Sequence, residues 1–194
     1  NVQSETVRDL KDKLGLPEKC FVIGFIGRLV RDKGIIELVQ AFALLRQKYS
    51  DMRLLLVGML EERDALPKTI VEDIRENPAI ITTGYIENSI IENYYALMDV
   101  FVLPSLYEGL AVTLVEAQAA GLPCVISDNV TDECRVTTGL VTKLSLSDTT
   151  RRWAEHILTL RSTPRTDRCD EVKASGYDIK TGAKKLEQFY LGKA

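Results

Sequence analysis

The sequence lacks any run approaching the roughly 18 to 20 apolar residues that a bilayer span needs. Asn1 to Lys13 is too polar and charged to carry a signal-peptide core. Excess charge of one sign is also missing: 25 basic against 28 acidic residues leave a net charge of −3. That excludes the broad positive field on which nonspecific binding to nucleic acid or an anionic membrane depends, so any anionic ligand must be held by local groups. The four cysteines, Cys20, Cys124, Cys134 and Cys169, show no C-x-x-C pairing, and two lie in or beside apolar runs. Reduced thiols of a cytoplasmic protein are expected from that pattern. Neither G-x-G-x-x-G nor G-x-x-x-x-G-K-[ST] occurs, which excludes the standard dinucleotide and nucleoside-triphosphate loops. Histidine is nearly absent. His156 falls at helical spacing with Trp153, Ile157 and Leu160, which assigns it to packing and not to chemistry.

What is present is an ordinary globular composition, 45% hydrophobic and 27% charged in 194 residues, enough for one well-buried core. Short apolar runs recur at Phe21–Ile26, Met52–Val57, Ala79–Thr83, Val100–Leu103, Pro123–Ser127 and Leu140–Lys143. Most are continuously apolar and each precedes a helical pattern, as in Ile35, Leu38, Val39, Phe42 and Leu45 or in Ile90, Tyr94, Leu97 and Met98. The expected class is α/β: a Rossmann-like, doubly wound, mostly parallel six-stranded sheet with helices on both faces. A helix over Glu5 to Leu14 leads straight into the first strand. Asp148 is expected to cap the helix that carries Trp153, Thr163 to Lys173 to form a loop, and a last polar helix to run from about Ile179 to Leu191.

Two segments carry chemistry. Gly24 to Gly34 (GFIGRLVRDKG) spans the end of the first strand and the start of the next helix, the edge where parallel α/β sheets bind ligands. Its glycines allow a tight turn, Arg28 offers a planar fork of donors and Lys33 a compact charge, which together suit a diphosphate. Read alone, the segment serves equally as a solvated basic loop. The second, Leu103 to Pro123, ends a strand, presents Glu108 and Gly109 in a loop, and continues as a helix from about Leu110 until Gly121 and Pro123 stop it. Amides near Leu110 to Val112 are expected to be free and to point at an anion. Glu116 lies among Val112, Leu114, Val115, Ala117 and Ala119, where a buried carboxylate is costly unless hydrogen-bonded. The alternative is an exposed glutamate on a surface helix.

Together, G-R-L-x-x-x-K-G at Gly27 to Gly34 and E-G-x(6)-E-A-x-A-x-G-x-P at Glu108 to Pro123 resemble the retaining glycosyltransferases of family 4, which have the two-domain GT-B fold. The resemblance covers about 120 residues. It implies that residues 1–194 form the single C-terminal, nucleotide-sugar-binding domain, with the N-terminal acceptor domain absent, so that the isolated chain binds donor but scarcely turns over. It implies a hexosyltransferase that moves a sugar, with retention, from a nucleoside diphosphate, UDP favoured, to a glycan or lipid-linked acceptor held by the missing domain. In the catalytic set it places Arg28 and Lys33 on the donor diphosphate and the leaving group, and Glu108 on the hydroxyls of the transferred sugar. In the donor-binding set it adds Gly27, the amides of Gly109, Leu110 and Ala111, and Glu116 on the ribose. No metal and no cofactor is implied. Ala111 departs from the glycine or proline of many members. Ser127 to Glu133, Thr138 to Val141 and the Leu-Ser-Leu-Ser-Asp segment at Leu144 to Asp148 look like the bacterial members that build exopolysaccharide, capsule or lipopolysaccharide; the family resemblance as a whole implies peripheral association of the full-length enzyme with the inner face of the plasma membrane. Two other classes stay open: a nucleotide-sugar epimerase of related fold, and a non-catalytic nucleotide-binding module. The loops Gly58 to Asp64 and Gly84 to Asn88, expected to contact base and sugar, carry no readable code.

Overall fold

A computed structural model describes residues 4–192; residues 1–3 and 193–194 of the expected domain lie outside the described residues. Six strands, β1 (Phe21–Ile26), β2 (Met52–Val57), β3 (Ile80–Thr82), β4 (Val100–Leu103), β5 (Cys124–Ser127) and β6 (Val141–Leu144), form one sheet in the order β3-β2-β1-β4-β5-β6. Every neighbouring pair is parallel, where a mostly parallel sheet was expected. The central strands β1, β4 and β5 are buried at every residue, so both faces must be covered, and this explains why their sequences show no alternation.

The helices supply that cover. They are α1 (Ser4–Lys13), α2 (Ile35–Arg46), α3 (Lys68–Glu76), α4 (Ile91–Leu97), α5 (Val112–Ala119), α6 (Thr150–Thr159), α7 (Cys169–Val172) and α8 (Ile179–Tyr190). Helix α2 packs with α3 and α6, whereas α1 packs with α4 and α5 with α7. These groupings match two layers generated by right-handed crossovers that change direction between β1 and β4. The apolar stripe of α2 is buried as its spacing requires. Asp99, just before β4, accepts the Val22 N–H at 2.6 Å and stitches the two central strands at their opening ends.

Local expectations fail in four places. Thr149, not Asp148, caps α6 by accepting the Arg152 N–H; Asp148 turns back to Ser145. Part of the expected loop, Cys169–Val172, is helical, because Val172 finds a buried position beneath α5. Ile90 is exposed in a short 3₁₀ turn ahead of α4 and does not join its buried face. Helix α8 is not simply polar, since Ile179, Leu186, Phe189 and Tyr190 stand exposed on it. All four cysteines are free thiols. Among the described residues no helix is long and apolar enough to cross a membrane.

Candidate functional site

The sheet reverses its winding between β1 and β4, the switch point at whose carboxyl edge parallel α/β sheets bind ligands. Three loops are stitched together there. Gly27 donates to Val57 O and Leu29 to Met59 O, which joins the β1 exit to the β2 exit. A Cβ on Gly58 would lie 1.8 Å from the Gly27 carbonyl oxygen, so only glycine permits this approach. Asp64 holds the same two loops through its side chain, which accepts the Asp32 N–H at 2.7 Å, and its carbonyl, which accepts that of Arg31. The Leu106 N–H then donates to Asp32 O at 2.8 Å and brings in the β4 exit loop.

Within this rim Lys33 and Glu108 meet directly. Lys33 Nζ lies 2.5 Å from Glu108 Oε2, and their side chains are only 19% and 13% exposed. The resemblance gives Lys33 a phosphate and Glu108 a sugar; the fold gives them each other. The attraction within a short pair so shielded from water is screened less than that of a surface ion pair, and the contact ties the β1 loop to the β4 loop. Arg28 sits apart from them, 3.3 Å from Glu61 of the β2 loop, in a far more exposed contact. Arg28 and Lys33 therefore each have a carboxylate partner, the first exposed and the second shielded.

Helix α5 begins at Val112, two residues later than its sequence predicts. Of the amides expected to be free there, two are occupied. Ala111 N–H donates to the buried Cys134 Sγ at 3.1 Å, and Val112 N–H folds back onto Leu110 O. Among the described residues no protein hydrogen bond engages the amides of Gly109, Leu110 or Thr113, and Gly109 and Leu110 are exposed. The unengaged amides of this helix tip are thus those of Gly109, Leu110 and Thr113, not those of Ala111 and Val112. Behind the tip, fully buried Gln118 donates to Leu114 O and Cys134 O and accepts from the Val136 and Thr137 amides, which locks the segment after β5 against α5.

Glu116 is half-buried and has the partner its apolar surroundings require: Tyr95 Oη donates to Glu116 Oε2 at 2.7 Å. Burial, and after it the Glu116 charge, pushes the Tyr95 phenol far above its ordinary range, so it stays a donor. Glu116 and Arg28 face one cleft of about 420 Å³, lined also by Gly27, Glu61, Tyr85 and Asn88. Parts of both loops singled out for base contacts, Gly58 to Asp64 and Gly84 to Asn88, thus reach it. Lys33 and Glu108 are not among its lining residues. The candidate site therefore has two parts: a cleft containing Gly27, Arg28, Thr113 and Glu116, and the Lys33–Glu108 pair on the β1 and β4 exit loops. Tyr95, Glu61 and Asp64 were not legible as site residues, because each acts through a partner 21 to 33 positions away for which no motif exists. Among the described residues no group of three or more His, Cys, Asp or Glu side chains is arranged to hold a metal ion.

Comparison with known proteins shows the family and the fold. The family described as Glycosyl transferases group 1 matches residues 6–176. The chain is 35% identical over 182 residues to EpsF of Bacillus subtilis (strain 168), named as a glycosyltransferase, covering 91% of this chain and 46% of that protein. It is 38% identical over 111 residues to the capsular polysaccharide biosynthesis glycosyltransferase CapM of Staphylococcus aureus, covering 57% of this chain and 28% of that protein. The chain thus spans less than half the length of these relatives. In fold it superposes on Anabaena Alr3699/HepE, solved in complex with UDP and glucose, with a TM-score of 0.79 at 20% identity, covering 98% of this chain and 53% of that one.

Proposed function

Because the chain belongs to the glycosyl transferases group 1 family, we propose that it is the donor-binding half of a GT-B glycosyltransferase that moves a sugar from a nucleoside diphosphate to an acceptor, with retention of configuration. The observation that carries this reading is the convergence of Arg28 and Glu116 on one cleft, with the Lys33–Glu108 pair on the loops that flank the β1/β4 switch. In the reaction the bond from the anomeric carbon to the diphosphate oxygen breaks and one to the acceptor oxygen forms on the same face. Negative charge grows on the departing diphosphate. Arg28, released from its exposed contact with Glu61, and Lys33 meet that charge, aided by the open amides of Gly109, Leu110 and Thr113. Glu108 holds the transferred sugar's hydroxyls while keeping Lys33 in place, and Glu116 accepts from the ribose. Two cations and a helix tip supply the electrostatic work, so the chemistry calls for no metal.

UDP is the favoured carrier, on the analogy of the neighbour solved with UDP and glucose. A role in bacterial capsule or exopolysaccharide assembly follows the analogy with CapM. The acceptor, glycan or lipid-linked, is assigned to the half of the enzyme that this chain does not span, together with any contact at the inner face of the membrane. Titration calorimetry with UDP, GDP and ADP tests the reading. We expect UDP to bind best and Arg28→Ala to weaken it about tenfold or more, the value of one charge-assisted contact. No binding by any nucleotide, together with an inert Arg28→Ala, overturns it. Incubation of the full-length enzyme with donor alone separates transfer from epimerisation, since only an epimerase yields an altered nucleotide sugar without an acceptor.

A further inference from the structure

Tyr95 occupies a position that no functional motif covers. It comes from α4, is 2% exposed, and its ring packs against Phe101 of β4, with centroids 6.0 Å apart. Its hydroxyl reaches Glu116 Oε2 at 2.7 Å and, at a longer 3.1 Å, the carbonyl of Thr113 in the first turn of α5. The ring is thus anchored in the core, while Tyr95 and Glu116 together reach the wall of an open groove. Glu116 lines both the 420 Å³ cleft and an adjoining groove of about 670 Å³, so an unrestrained carboxylate would have room to turn either way.

We infer that Tyr95 is a positioning residue: it holds one carboxylate oxygen of Glu116 so that the other stays aimed into the cleft to accept ligand hydroxyls. A carboxylate has two oxygens and roughly four acceptor sites. With Oε2 engaged from below, Oε1 remains available, and the carboxylate no longer has to give up rotameric freedom when ligand arrives. The same hydroxyl touches the first turn of α5, so the carboxylate and the helix tip are set at a fixed separation.

This inference rests on the proposed nucleotide binding, and the test separates the two. The probes are UDP, 2′,3′-dideoxy-UDP and inorganic pyrophosphate, titrated into the chain and its variants. Wild type is expected to prefer UDP over the dideoxy nucleotide. Tyr95→Phe keeps the ring and removes the donor; it is expected to weaken UDP about tenfold, erase most of that preference and leave pyrophosphate affinity unchanged. In a Glu116→Ala background, Tyr95→Phe should cause no further loss, which a merely structural tyrosine would not show. A preference retained in Tyr95→Phe but lost in Glu116→Ala overturns the inference and leaves the nucleotide reading intact. Absence of UDP binding to wild type overturns both. Should Tyr95→Phe not fold, 3-fluorotyrosine placed at Tyr95 alone offers a more acidic donor: a larger preference supports the inference and an unchanged one overturns it.

Discussion

Gly34→Ala probes whether the two chemical segments must touch. Gly34 closes the turn that carries Lys33, with φ +69°, and a Cβ there would lie 2.0 Å from the Pro104 carbonyl oxygen and 2.6 Å from its carbon. Backbone atoms cannot rotate away, so the β1 and β4 exit loops would have to part. Gly15 is the natural control: its φ is +64°, almost the same, but nothing lies within 4 Å of its would-be Cβ. Gly15→Ala therefore costs only the left-handed strain of an L-residue, about 1 to 2 kcal/mol. Gly34→Ala bears the same strain plus the displacement of a packed loop, for a total of about 3 to 5 kcal/mol. At about 2 to 4 °C per kcal/mol for a chain of this size, the control should lower the Tm by about 5 °C and Gly34→Ala by about 12 °C. Thermal unfolding followed by circular dichroism reads both. Because Leu106 N–H is bonded to Asp32 O in the same contact, parting the loops also pulls Lys33 from Glu108, and UDP affinity should fall in Gly34→Ala but not in Gly15→Ala. Equal losses of Tm in the two variants would refute the argument that close approach, beyond backbone conformation, requires the glycine.

Two further outcomes concern stability. Gln118→Leu keeps the volume but deletes the bonds to Leu114 O, Cys134 O and the Val136 and Thr137 amides, and is expected to cost about 3 kcal/mol, or about 9 °C in Tm, measured by thermal denaturation; an unchanged Tm would count against the network. Burial raises the pKa of Asp99 above its ordinary 3.8 in the folded chain despite the Val22 bond. A raised folded pKa contributes stability that is present below the unfolded pKa and lost as pH rises through the folded one. Asp99→Asn does not titrate, so denaturant unfolding across a pH series should find it gaining on wild type as pH climbs from about 3.8; a constant difference would contradict the assignment.

Much of this protein was legible in its residues. Continuous apolar runs such as Phe21–Ile26 and Val100–Leu103 become buried parallel strands because burial on both faces leaves no reason for alternation. The stripe of α2 buries as spaced, because helical periodicity is a local property. The charged and acidic residues of the two segments converge on one sheet edge because loops that leave neighbouring parallel strands emerge at the same end. What only the tertiary structure decided is which of those groups face each other. Sequence spacing has no means of pairing Lys33 with Glu108, of giving the Ala111 amide to Cys134, or of setting Tyr95 beneath Glu116. Those contacts join residues 21 to 75 positions apart, and each depends on strand order and loop approach, which exist only once the sheet has assembled.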